Sequence, residues 1–145
     1  MQIPADAWIL VADGQKALLL RNDGDELYPN LHVIKKSVQD NPATHAQGTD
    51  KPGSLASSNG IRSAAEPTDW HQQAEDAFAA EVAEMLYKRA HADKFEQIIL
   101  VAPPSTLGEL RKCLHAEVSA KVIGELHKDL TKHPVSEIEQ IIGNA

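Results

Sequence analysis

Cysteine is almost missing from this sequence. A single residue, Cys113, stands among 145, so an internal disulfide is impossible, and Cys113 reads as a small apolar residue on the inner face of a helix. Aromatic residues make up only 4% of the chain, so its core has to be built from Ile, Leu, Val and Ala. No run approaches the roughly 18 apolar residues of a membrane span. Met1–Val11 shows no basic leader, long apolar run or small-residue cleavage site, which sets the expectation of a cytoplasmic protein. Basic residues are also short: 14 Lys and Arg against 21 Asp and Glu give a formal net charge of −7. That balance excludes broad, non-specific binding to nucleic acid, which needs many cations to neutralise phosphates. No DNA partner is expected, although a local basic patch is still allowed.

The rest is ordinary for a globular chain, with 42% hydrophobic and 24% charged residues. The length suits one domain, residues 1–145, around one core. Ala7–Ala12 is a compact apolar run, and Asp13-Gly14 separates it from a second run, Lys16–Arg21. Asp-Gly between apolar runs marks a hairpin, with glycine accepting the positive φ of a tight turn. Leu27–Ile34 reads as a third strand, with Pro29 placing it at an edge or a bulge. A long helix is expected from about Thr68, with Ala74, Phe78, Val82, Met85 and Leu86 as one apolar stripe and Glu75, Asp76, Glu84 and Lys88 on the solvated face. Phe95–Ala102 contains consecutive apolar residues, as in a parallel strand buried on both faces. A helix with Leu107, Leu110 and Leu114 follows, then a strand over Ala120–Leu126 and a last helix after Pro134. The order βββ-α-β-α-β-α predicts an α/β fold on a five-stranded mixed sheet of ribonuclease-H-like topology, with right-handed crossovers.

Most catalytic chemistries fail on the residues. A metal nuclease of this topology needs carboxylates converging from strand and helix. Asp13 and Glu75 or Glu81 are available, but the fourth strand ends in Ala102-Pro103-Pro104, with no acid. The seven histidines show no ligand pair at helical or hairpin spacing, so no metal site is expected. Ser105 lacks the strained glycine-flanked turn of a nucleophilic serine, and no Gly-Lys-Ser/Thr phosphate loop is present. No catalytic residue and no cofactor are assigned, and the chain reads as a non-enzyme.

One segment stands apart. Residues 38–66 carry no hydrophobic period over a length that is unusual inside a compact domain. The amides of Gly53 and Gly60, beside Lys51 and Arg62, are suited to gripping a phosphate or a carboxylate. Glu66 is placed to pair with Arg62 or Lys51 at the base of the segment, and Trp70 is expected to anchor it apolarly. The candidate ligand-binding or RNA-binding residues are therefore Asp50, Lys51, Pro52, Gly53, Gly60, Arg62 and Glu66.

Several stretches together resemble a known family: Asp50-Lys51-Pro52-Gly53-Ser54, Arg62 through Pro67, Phe95 through Arg111 with Ala102-Pro103-Pro104, and Lys128-Asp129-Leu130-Thr131. The chain resembles the proteins called "required for attachment to host cells", which are similar to the middle domain of archaeal and eukaryotic peptide-chain release factors. The resemblance implies the same sheet and a role in translation. In those factors the loop before the long helix carries Gly-Gly-Gln and enters the peptidyl-transferase centre. Here that segment holds Gln47-Gly48 but no Gly-Gly-Gln. What the resemblance implies is thus a non-catalytic module binding ribosome or tRNA through residues 38–66. The alternative is an interaction protein of a host-attachment or envelope pathway, acting through protein partners.

Overall fold

The computed structural model describes residues 1–39 and 67–145. Three strands come first: β1 (Trp8–Ala12), β2 (Lys16–Asn22) and β3 (Leu31–Val38). The long helix α1 (Pro67–His91) is followed by β4 (Ile98–Val101), α2 (Pro104–Cys113), a one-turn helix α3 (Ala116–Ser119), β5 (Val122–Leu126) and α4 (Val135–Gly143). The sheet order is β3-β2-β1-β4-β5. β1 pairs antiparallel with β2 and parallel with β4, and β5 lies parallel to β4. This is the mixed five-stranded α/β sheet expected from element order, with α3 as an addition.

Both faces of the sheet are covered, which explains why β1 and β4 are buried at every residue. Trp8, Leu10, Ala12, Leu19, Ile98 and Leu100 pack under Phe78, Val82 and Leu86 of α1 and Leu107 and Leu110 of α2. Ile9, Val11, Leu18, Leu20, Ile99 and Val101 pack against Leu130 and against Ile138 and Ile142 of α4. Truncating a residue such as Leu10 or Ile99 to Ala should cost about 2–5 kcal/mol. α3 is tied to α1 by the Tyr87 ring, stacked 3.8 Å from the His115 ring, and by His91 Nδ1, 3.1 Å from Glu117. Among the described residues, no helix is long and apolar enough to cross a membrane.

Three strands start two or more residues later than the sequence reading, one of them β4, which spans Ile98–Val101 where Phe95–Ala102 was expected. The third strand starts at Leu31 and runs to Val38, where Leu27–Ile34 was expected. The reason is local. Asp25 Oδ1 accepts the amides of Leu27 (3.0 Å) and Tyr28 (2.7 Å), so the backbone there is consumed by a turn before pairing can begin. Likewise β5 starts at Val122 and not Ala120, because the amide of Ala120 is bonded back to Ala116 at the end of α3. Cys113, expected in the core, is only partly buried.

Candidate functional site

The segment singled out by sequence is joined to the fold at Gln39 and Pro67. Val38, counted with it, belongs to β3, and Gln39 follows. Asp50, Lys51, Pro52, Gly53, Gly60, Arg62 and Glu66 lie outside the described residues. The structure describes the corner that holds the two ends. The Gln39 amide donates to Gln15 O at 2.7 Å, and its side-chain amide donates to Ala74 O of α1. Ala74 is seven residues into the helix from Pro67, a rise of about 10 Å. Both ends of the segment therefore attach to one corner of the domain. Trp70, in the first turn of α1, is 49% exposed; the segment that it was expected to anchor lies outside the described residues.

Below this corner runs a groove between β3 and α1, with Phe78, Val82 and Met85 as its floor and Lys35, Ser37, Gln39 and Glu81 at its rim. Next to it, where β1 and β4 end, a cleft is lined by Asp13, Gly14, Gln72, Glu75, Ser105, Thr106 and Glu109. Sequence reasoning put Glu75 on the solvated face of α1. It instead folds over the β1–β2 turn, where a β-carbon added to Gly14 would sit 2.7 Å from Glu75 Cδ and Oε2. Gly14 is thus favoured by the close approach of the Glu75 side chain and not by positive φ, since its φ falls outside the left-handed region. The turn itself is closed by Asp13 Oδ1, which accepts the amides of Gln15 and Lys16, both at 2.7 Å.

Asp13 has a second role that the sequence reading did not include. Its Oδ2 lies 2.9 Å from the Thr131 hydroxyl, which also lies 2.7 Å from Asp129 Oδ1. Lys16 Nζ donates to Thr131 O at 3.2 Å. Thr131 is 2% exposed and Leu130 3%, so Lys128-Asp129-Leu130-Thr131 is a tether between the loop after β5 and the β1–β2 turn. The readable signal was Asp-x-Thr, a spacing at which the carboxylate also accepts the threonine amide, here at 3.1 Å.

The chemistry of the cleft is limited. Among the described residues no His, Lys or Arg lines it, and the groups beside Ser105 and Thr106 that could take a proton are the carboxylates of Asp13, Glu75 and Glu109. Among the described residues, no group of three or more His, Cys, Asp or Glu side chains is placed to hold a metal ion. The described histidines are exposed except His133, which is partly buried. The resolved electrostatic perturbations lie elsewhere. A hydrogen bond from Arg111 on α2 holds the Glu125 carboxyl of β5 below the usual range, against a smaller opposing effect of burial. Asp23 is lowered in the same way by a hydrogen bond from Arg21. The Arg111–Glu125 pair fastens α2 to β5, the Arg21–Asp23 pair is local to the end of β2, and neither lies in the cleft.

The α/β sheet of this order carries a long segment between its third strand and its long helix. Residues 6–142 match the model of bacterial archaeo-eukaryotic release factor family 12, and the chain belongs to that family. The structure is also similar to that of an archaeal translation termination factor, aRF1, with a TM-score of 0.50 and 13% identity. That likeness covers 94% of this chain but 35% of the termination factor, so the chain spans about a third of its length. At that identity it establishes the fold alone. No curated protein matches the chain. Neither match bears on host attachment.

Proposed function

We propose that this chain is a non-catalytic, release-factor-related module of the cytoplasm that binds ribosome or tRNA through residues 38–66. The observation that carries the reading is membership of a release-factor family over residues 6–142, together with a fold corner that brings both ends of that segment to one place. Lys51 and Arg62 supply the charge that meets phosphate, and Gly53 and Gly60 allow close backbone approach. Glu66 is the pairing partner that the sequence offers to Arg62 or Lys51, and Asp50 and Pro52 complete the candidate residues. The segment has no Gly-Gly-Gln, so the module occupies a site without hydrolysing peptidyl-tRNA.

The test is co-sedimentation with purified ribosomes at two salt concentrations. Each phosphate contact contributes a slope of roughly 0.7–0.9 in log K against log salt. Two contacts therefore weaken binding about tenfold between 50 and 200 mM salt. Changing Lys51 and Arg62 to Glu should abolish that salt-sensitive fraction. Binding that persists in the double variant, or is indifferent to salt, refutes the assignment.

A further inference from the structure

At the opposite end of β3 the chain builds a turn for which the release-factor reading has no use. Leu27 is 81% exposed and Tyr28 79%, the two most exposed large apolar side chains among the described residues. Single exposed apolar residues are ordinary. These two are adjacent, and a dense hydrogen-bond network holds them outward. Asn22 is fully buried. Its amide nitrogen donates to Ile3 O, Pro4 O and Asp25 O, and its carbonyl accepts the amides of Gly24 and Asn30, both at 2.9 Å. Asp25 closes the inner turn on the Leu27 and Tyr28 amides. Gly24 approaches so closely that a β-carbon there would lie 2.2 Å from Tyr28 O. A loop this constrained could have packed its apolar residues inward, yet it displays them on a fixed frame. Contact residues presented that way lose little conformational entropy on binding.

The charge around the turn selects the partner. Glu26 and Leu27 line a shallow groove with Pro29 and Glu139, and Glu139 is fixed by accepting the Leu31 amide at 2.9 Å. Asp23 and Asp25 add two more carboxylates. The cations nearby are Arg21, engaged by Asp23, His32, 3.8 Å from Asp23, and the Met1 ammonium in the same groove, engaged by Gly143 O and Ala145 O. An acidic rim repels nucleic-acid phosphate and anionic lipid. It also disfavours a second copy docked on the same patch, because a two-fold contact brings two acidic rims together.

We infer that the Leu27–Tyr28 turn is a docking site for a protein partner that offers an apolar pocket rimmed by Lys and Arg. Tyrosine at the centre and charge at the rim match the anatomy of a protein interface. The inference is independent of the ribosome reading, because it uses the other end of β3 and neither Lys51 nor Arg62.

The experiment places the photo-crosslinker p-benzoylphenylalanine at position 28 of the full chain in its native cells, with position 94, an exposed lysine, as control. The expected result is one dominant protein adduct, whose crosslinked peptide is net basic when identified by mass spectrometry. Leu27→Asp should reduce that adduct at least tenfold and Glu26→Lys several-fold, while circular dichroism shows both variants folded. An adduct to a second copy of this chain, to RNA or lipid alone, or equally at position 94, overturns the inference. So does the absence of any adduct, or one that survives Leu27→Asp and Glu26→Lys.

Discussion

Thr131 is the residue whose replacement tests the tether most sharply. Its hydroxyl carries one hydrogen and faces two carboxylate oxygens, 2.7 and 2.9 Å away. In Thr131→Val the shape is kept and the donor is lost. Hydrogen bonds to charged groups are worth about 1.5–3 kcal/mol. Asp129 is exposed and water can replace part of what it loses, while Asp13 keeps the Gln15 and Lys16 amides. The expected loss is therefore near the lower half of that range, about 2 kcal/mol. For a chain of this size that corresponds to a fall in Tm of about 4–8 °C. Thr131→Ser is the control. It retains the hydroxyl and removes one buried methyl, for about 0.8 kcal/mol. Urea unfolding of the three proteins gives the ranking directly, and wild type, then Ser, then Val is the expected order. If Val is as stable as Ser or more so, apolar packing and not the carboxylate contacts holds the 128–131 loop, and the argument from geometry fails.

Other substitutions probe the turns and one ion pair. Gly14→Ala should cost under about 1 kcal/mol, because the flexible end of Glu75 can move aside. In a Glu75→Ala background the same change should stabilise by about 0.4–1 kcal/mol through the unfolded chain; a net loss there, in thermal melts, would show that φ was the constraint after all. Gly24→Ala meets backbone at 2.2 Å and should destabilise by about 1–3 kcal/mol or more, with no rescue by any single side-chain truncation. Glu125, lowered by Arg111, follows the carboxylate sign: its contribution is present above the unfolded value of about 4.3 and is lost as pH falls through the lower folded value. The stability gap between wild type and Glu125→Gln, followed from pH 7 to pH 3, should close on acidification; a gap that widens contradicts the pairing.

The parts of the fold legible in the sequence were those where hydrophobic pattern alone decides the outcome. Ala7–Ala12 and the Ile-Ile-Leu-Val run are buried on both faces and could hardly be anything but central strands. The stripe through Phe78, Val82 and Leu86 had one sheet to face. β3 was misplaced by four residues because its pattern points the wrong way. Leu27 and Tyr28 look like strand residues but sit in a turn, whereas Lys35 and Lys36 look like loop residues but pair with Leu19 and Leu18. Charge on an edge strand is what keeps such an edge from pairing with other chains, and a pattern built on burial cannot register it. Glu75 and Thr131 were missed for a different reason. Their partners, Gly14 and Asp13, lie 61 and 118 residues away in sequence, and only the folded sheet brings them together. The corner that holds residues 39 and 67 was legible as the root of a long segment, but the Gln39 to Ala74 contact that forms it was not.

β3 also explains why this chain can serve two contacts without conflict between them. Seven residue steps separate Leu31 from Val38, about 23 Å at strand rise. One end passes into the segment bearing Lys51 and Arg62, and the other emerges from the Leu27–Tyr28 turn. Sites that far apart with no shared partner side chains add independently. Lys51→Glu with Arg62→Glu should remove ribosome co-sedimentation while leaving the position-28 crosslink intact, and Leu27→Asp should do the reverse. If both readouts fall together with either variant, the two ends contact one assembly at once, and the basic protein surface met by Leu27 and Tyr28 belongs to the ribosome itself.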